Sequence, residues 1–385
     1  MHPVKPNILS YFFVFLLSIS QMSAQNVYYP KQTWEIGKPS QLGMKEKEIA
    51  EAVQFAELNE YKGSRDLRIA IYESFKQEPF IDIIGPTKQR GGPAGLIIKN
   101  GYIVAQWGDI NRVDMTFSVT KSYLSTVFGL ALDKNLISSI DDFVESTIWD
   151  GTFDGNHNKS IQWKHLLNQT SDWSGTLFGQ HDWADRPPAI GMLDDWKNRI
   201  LNKPGTVFEY NDVRVNALSY ALLHVWRKPL PQVLKENIMD PIGASTTWRW
   251  FGYANSWITM DGISVQSVSG GGHTGGGLFI NTYDQARFGY LFLRNGNWNG
   301  VQLISQEWVN AIQQSSTANE SYGLMWWLNK GKNRMKTIPE QLFYASGFGG
   351  NYILIDQKND LLIVTRWLDP SSLEPFLTKV YNSLE

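Results

Sequence analysis

The sequence predicts an α/β (α+β) protein: one antiparallel sheet built from both ends of the chain, flanked by helices, with a mostly helical insertion over about 140–242. Three observations carry this. β-rich runs flank Asn100-Gly101 early in the chain, and residues 343–367 alternate in β fashion near its end. The stretch between reads as helix and loop, rich in Trp, Asn and Asp. Strands early, helices in the middle and strands late imply one sheet closed by distant segments.

Taken in order, the N-terminus comes first. Lys5 precedes an apolar run over 8–19, and Ser23-Ala24 follows. A basic start, about 7–15 apolar residues and a small residue before the cut describe a secretory signal peptide. Residues 1–24 are therefore expected to be removed, leaving 25–385 as a periplasmic or secreted domain. The run is shorter than the about 20 residues that span a bilayer, so no membrane insertion is expected after processing. Residues 45–58 have helical spacing at Ile49, Val53, Phe55 and Leu58. Residues 94–107 read as a hairpin, because Asn-Gly between β-rich runs is a strong turn signal. Residues 117–134 read as a helix with Tyr123, Leu124, Val127, Phe128 and Ala131 at core spacing. Gly270 to Gly277 is a glycine-rich turn leading into a helix over 282–294. Strands over 343–346, 351–356 and 361–367 follow, then a helix over 373–384.

Composition removes several function classes. A net charge of -2 over 385 residues gives no electrostatic reason to expect nucleic acid or an anionic membrane as partner. The absence of cysteine excludes disulfides, Cys-ligated metal, a thiol nucleophile and a lipid anchor on Cys. His-Glu-x-x-His, Gly-x-Ser-x-Gly and phosphate-cradling loops are missing from the sequence. Asp150, Asp154 and Asn158 lack the register of a calcium loop. No metal or cofactor is expected. His273, in Gly-His-Thr-Gly, reads as a loop histidine without a role.

Ser118 and Lys121 carry the chemistry. Polar Asp114 and Thr116 precede them and an amphipathic helix follows, so Ser118 is expected at a helix N-terminus. Residues three apart on a helix share a face. A serine hydroxyl needs a base to become a strong nucleophile, and lysine serves only if desolvation or nearby positive charge lowers its pKa. The first helical turn offers partial positive charge and N–H groups aimed at a developing oxyanion.

Residues 113–132 (VDMTFSVTKSYLSTVFGLAL) resemble the nucleophile helix of class C β-lactamases, serine D-Ala-D-Ala peptidases and their esterase relatives. Residues 161–175 (IQWKHLLNQTSDWSG), 204–212 (PGTVFEYND) and 344–350 (YASGFGG) resemble three further segments of that superfamily, in the same order. The resemblance implies a β-lactamase-like fold and a serine hydrolase acting on an ester or amide. It implies Ser118 as acylated nucleophile, Lys121 as proton shuttle, and Tyr210 as the hydroxyl that completes the base and protonates the leaving group. The N–H groups of Ser118 and Phe348 would form the oxyanion hole, with Ser346 and Gly347 beside them on the Lys-Thr-Gly-like strand. A tyrosine suits this role because its pKa falls beside a cationic lysine.

Two departures stand out. Asp212 occupies the place of the family Asn, and a carboxylate near Lys121 favours the ammonium; Asp212 either holds Lys121 charged or points away while Asn211 substitutes. Ala345 occupies the place of a Lys or His that binds substrate carboxylates. Losing a charge-assisted contact removes about 1.5–3 kcal/mol, which disfavours penicillins and D-Ala peptides and favours uncharged esters or amides, as in carboxylesterases and the 6-aminohexanoate-dimer hydrolase. The alternatives are a D-Ala-D-Ala peptidase or weak β-lactamase, and an inactive penicillin- or glycan-binding module. Trp248-Arg249-Trp250 and Trp326-Trp327 are expected to wall the binding cleft.

Overall fold

A computed structural model describes residues 27–188 and 191–385. The signal peptide expected over 1–24 lies outside them. Helices α1 (Glu46–Leu58) and α2 (Leu67–Phe75) precede strands β1 (Ala94–Lys99), β2 (Tyr102–Trp107) and β3 (Asp114–Met115). Helix α3 (Thr120–Asp133) follows, then short helices and loops up to α4 (Asp212–Trp226). Next come β4 (Arg249–Met260), β5 (Ile263–Val268), β6 (Gly277–Ile280) and α5 (Thr282–Leu293). The chain closes with β7 (Trp327–Leu328), β8 (Phe343–Gly347), β9 (Asn351–Asp356), β10 (Leu361–Arg366) and α6 (Leu373–Asn382).

The main sheet has the order β7-β8-β9-β10-β1-β2, antiparallel throughout. Its early hairpin is joined to its late strands by the β1–β10 pairing, Leu96 opposite Val364. The sheet is covered on both faces, so its strands are apolar at most positions. Alternation still sorts the side chains. Leu96, Ile98, Ile353, Leu362 and Val364 pack with Phe288 and Leu291 of α5 and with α3. Ile97, Leu354, Leu361 and Ile363 pack on the other face with Ala52 of α1 and Phe376 and Val380 of α6. Asn100 and Gly101 both have positive φ, 52° and 90°, the conformation that a two-residue hairpin turn requires.

Four elements differ from expectation. The helix expected from residue 117 begins as a 3-10 turn over Phe117–Val119. Residues 176–181 of the helical insertion contain a small hairpin. Helix α2 lies in a stretch that the sequence left unassigned. A second sheet, β3-β6-β4-β5, was also missed; its long hairpin turns at Asp261-Gly262 with φ of 52° and 80°. That Asp-Gly pair was a legible turn signal. Among the described residues no helix is long and apolar enough to cross a membrane.

Candidate active site

Ser118 sits in the 3-10 turn that opens α3, half-buried between buried Phe117 and Val119. Phe117 has φ 51°, a costly conformation for a bulky residue. Packing holds it: the Phe117 ring meets Phe348 at 5.0 Å and Trp367 at 6.4 Å between centroids. Strand β8 runs directly against the turn. A Cβ on Gly347 would lie 2.1 Å from the Thr116 carbonyl oxygen and 3.3 Å from the Ser118 nitrogen, so only glycine allows this approach. Phe348, one residue beyond β8, is thereby brought to the same turn.

The Lys121 ammonium donates to Ser118 Oγ at 2.9 Å and to Asp212 Oδ1 at 2.6 Å. Lys121 and Asp212 are both buried, at 1% and 4% exposure, and the pair joins α3 to the first turn of α4. Burial is the largest influence and would lower the Lys121 pKa, but the charge and hydrogen bond of Asp212, together with Tyr210, outweigh it and the net direction is upward. Burial would likewise raise Asp212; Arg186, Lys121 and His273 overcome it and hold the carboxyl well below the usual range. Of the two alternatives for position 212, Asp212 holds Lys121 charged. Asn211 points elsewhere: its side chain accepts from Arg214 N and donates to the Asp182 carbonyl, capping α4.

The other Asp212 oxygen carries a second set of partners. Arg186 donates to Oδ2 at 2.8 Å, and His273 Nδ1 lies 3.3 Å from it. The far nitrogen of His273, Nε2, meets Glu78 Oε2 at 2.9 Å. Arg186 also pairs with Asp185 at 2.7 Å, and Asp185 accepts from the Asp212 backbone N–H. Burial acts to lower His273, yet its bonds to Asp212 and Glu78 push it up to about 9. Asp185 is pushed up to about 6, chiefly by burial. His273 does lie in the glycine-rich loop, but the expectation of an idle side chain is corrected: it is 6% exposed and bonded into the Lys121–Asp212 pair. Glu78, Asp185 and Arg186 were not singled out from sequence, because their pairing depends on loops that only the fold brings together.

The contacts described for Tyr210 are made by its ring. Lys121 Nζ lies 5.0 Å and the Arg186 guanidinium 5.2 Å from its centroid, and Trp327 stacks on it at 5.9 Å. The structure thus brings together Ser118, Lys121, Tyr210 and Asp212, with Gly347 and Phe348 against the Ser118 turn. Ser346 is half-buried in β8 and pairs across to Tyr352; Ala345 is buried there at 1% exposure. The expected tryptophan wall is corrected in part. Trp327 belongs to the site, whereas Trp326 is fully buried in the core. Trp248 and Trp250 line a separate depression with Pro229 and Lys235.

A cavity of about 190 Å³ adjoins the charged cluster, lined by Glu78, Asp185, Asp212 and His273 together with Phe80 and Phe178. Glu78, Asp185 and His273 offer ligand atoms within 4.8 Å of one another. Each is already matched by a protein charge: Arg186 faces Asp185, and His273 lies between Glu78 and Asp212. Three carboxylates meet Lys121, Arg186 and His273, so the cluster balances without a metal ion.

A family model described as Beta-lactamase matches residues 87–367. A candidate D-alanyl-D-alanine carboxypeptidase of Escherichia coli O157:H7 is 25% identical over 342 residues, covering 70% of this chain and 76% of its own. A solved family VIII carboxylesterase superposes with TM-score 0.57 at 17% identity, covering 83% of this chain and 96% of that one. A candidate 6-aminohexanoate-dimer hydrolase from Bacillus anthracis gives TM-score 0.55 at 18% identity, over 75% and 77% of the two chains. At these identities the structural matches speak for the fold alone.

Proposed function

The chain belongs to the β-lactamase family of hydrolases, and from that premise we propose that it forms an acyl-enzyme at Ser118 on an ester or amide substrate. The observation that carries this reading is the 2.9 Å contact between Lys121 Nζ and Ser118 Oγ at the half-buried start of α3. Ser118 Oγ attacks the carbonyl carbon, and the Ser118 and Phe348 N–H groups receive the oxyanion. Lys121 is clamped as an ammonium by Asp212, so it steadies Oγ and the developing negative charge rather than starting as a free base. Tyr210 completes the relay: its oxygen takes the Ser118 proton as its own proton passes to the leaving group. Lys121 stays charged throughout. Water then attacks the acyl carbon along the reverse route, giving up its proton through Tyr210 to Ser118.

The buried methyl of Ala345 provides no cation for a substrate carboxylate, which favours uncharged acyl donors. One observation favours the peptidase alternative. The Arg334 guanidinium lies 4.3 Å over the Trp327 ring, on the aromatic wall that carries Tyr210, and could meet a carboxylate from another side. The candidate carboxypeptidase relative points the same way.

Labelling with a fluorophosphonate probe tests the nucleophile: wild type is expected to react and Ser118→Ala to be silent. Equal labelling would leave the fold as an inactive binding module. Turnover of p-nitrophenyl acetate and butyrate, beside nitrocefin and a D-Ala-D-Ala peptide, tests the substrate class. Esters are expected to turn over fastest; faster peptide hydrolysis would transfer the assignment to a peptidase. The signal-peptide reading places this activity in the periplasm or outside the cell.

A further inference from the structure

The hydrogen bonds around Ser118 do not stop at Asp212. They continue in one line, from Ser118 Oγ to Lys121 (2.9 Å), to Asp212 (2.6 Å), to His273 (3.3 Å) and to Glu78 (2.9 Å). The last member comes from outside the family-matched region, which starts at residue 87. Glu78 follows α2 on an arm fastened over the site. The N–H groups of Ile84 and Gly85 both donate to the Thr274 carbonyl, next to His273. A Cβ on Gly85 would lie 2.5 Å from the Gly276 nitrogen, so arm and glycine-rich loop touch backbone to backbone. From the same arm, Phe75 stacks flat on the His273 imidazole, at 4.2 Å and 12°. The ring is thus held at one face and at both nitrogens.

We propose that Glu78 and His273 are positioning residues for the acylation machinery, supplied jointly by the N-terminal arm and the glycine-rich loop. Glu78 fixes the imidazole, and the imidazole fixes Asp212, which in turn orients Lys121 against Ser118. The inference rests on Ser118 being the acylated residue.

The charged groups facing His273 are Glu78 from the arm, Asp185 and Arg186 from the loop before α4, and Asp212 from α4; Lys121 of α3 lies behind Asp212. Asp212 has three cationic neighbours, and removing one raises the pH at which it takes up a proton and releases Lys121. Removing Glu78 takes away an anion that keeps His273 charged, and so lowers the pH at which His273 loses its proton.

The test is the pH dependence of the rate of Ser118 labelling by a fluorophosphonate in wild type, His273→Gln and Glu78→Gln. His273→Gln is expected to move the acidic limb upward by about one pH unit. Glu78→Gln is expected to leave that limb in place and bring the alkaline fall to lower pH by a similar amount. Folded variants that only scale the rate, with both limbs where wild type has them, would reduce the two residues to structural support and overturn the proposal. Should a variant not fold, the His273 imidazole of wild type, followed by NMR, decides: a midpoint near 9 supports the chain, and one at or below 6.5 overturns it. Absence of Ser118-dependent labelling in wild type would overturn the acyl-enzyme reading and this inference with it, an outcome distinct from unshifted limbs in an enzyme that labels.

Discussion

His273 shows how one buried side chain ties folding to pH. Its folded pKa is about 9 against an ordinary 6.5, so the folded state takes up a proton that the unfolded chain lacks between those values. The stabilisation is complete below about pH 6.5 and disappears as pH rises through 9, an effect on the order of 3 kcal/mol. Asp185, raised to about 6, titrates below that window and favours folding at lower pH. Asp212, held low, withdraws its contribution only in acid. Urea midpoints of wild type are therefore expected to fall between pH 6.5 and 9.5, and those of His273→Gln to stay nearly flat there. At this scale the sequence was legible where chemistry is local. Ser118 and Lys121 share one helical turn, and spacing alone put them on one face. The bonds of His273 to Asp212 and Glu78 span 61 and 195 positions, and no local pattern reports such pairings.

Elements were legible where side-chain period and turn chemistry agree. The hairpin at Asn100-Gly101, the three late strands and α6 are all found within a residue or two of expectation. The β4–β5 hairpin carries an Asp-Gly signal too, but its register shifts between Gly252 and Trp257, which breaks the alternation along β4. The close approach of β8 to the Ser118 turn was beyond reach, because a glycine's lost Cβ contact appears only when two backbones meet. Gly347→Ala is expected to push β8 away from Thr116, destabilise the protein by about 1–3 kcal/mol, and slow Ser118 labelling more than tenfold. Thermal melts alongside labelling kinetics check this. An alanine variant with wild-type kinetics would show that the turn does not depend on the strand.

Across the whole molecule, a buried ion network fixes the loops of the helical insertion to α4. Arg214, 2% exposed on α4, donates to Asp172 at 2.6 Å, Glu209 at 2.7 Å and Asp182 at 3.2 Å, and Arg199 shares two of these carboxylates. Those groups anchor the loop over 172–186 that presents Asp185 and Arg186 to Asp212. Arg214→Leu strips a cation from buried carboxylates and is expected to cost about 3–5 kcal/mol, read as a drop in denaturant midpoint. A change under about 1 kcal/mol would mean that Arg199 alone suffices to balance them.

The β1–β10 pairing also dictates when the protein can mature. During synthesis Ser118, Lys121, Tyr210 and Asp212 all emerge before residue 343, yet the strand that braces the Ser118 turn and the partner of β1 are still unmade. Contacts of such long sequence separation form late. A nascent or C-terminally shortened chain would thus carry Ser118, Lys121, Tyr210 and Asp212 with no floor beneath them, and the Ser118 turn gains its brace only once the tail has arrived.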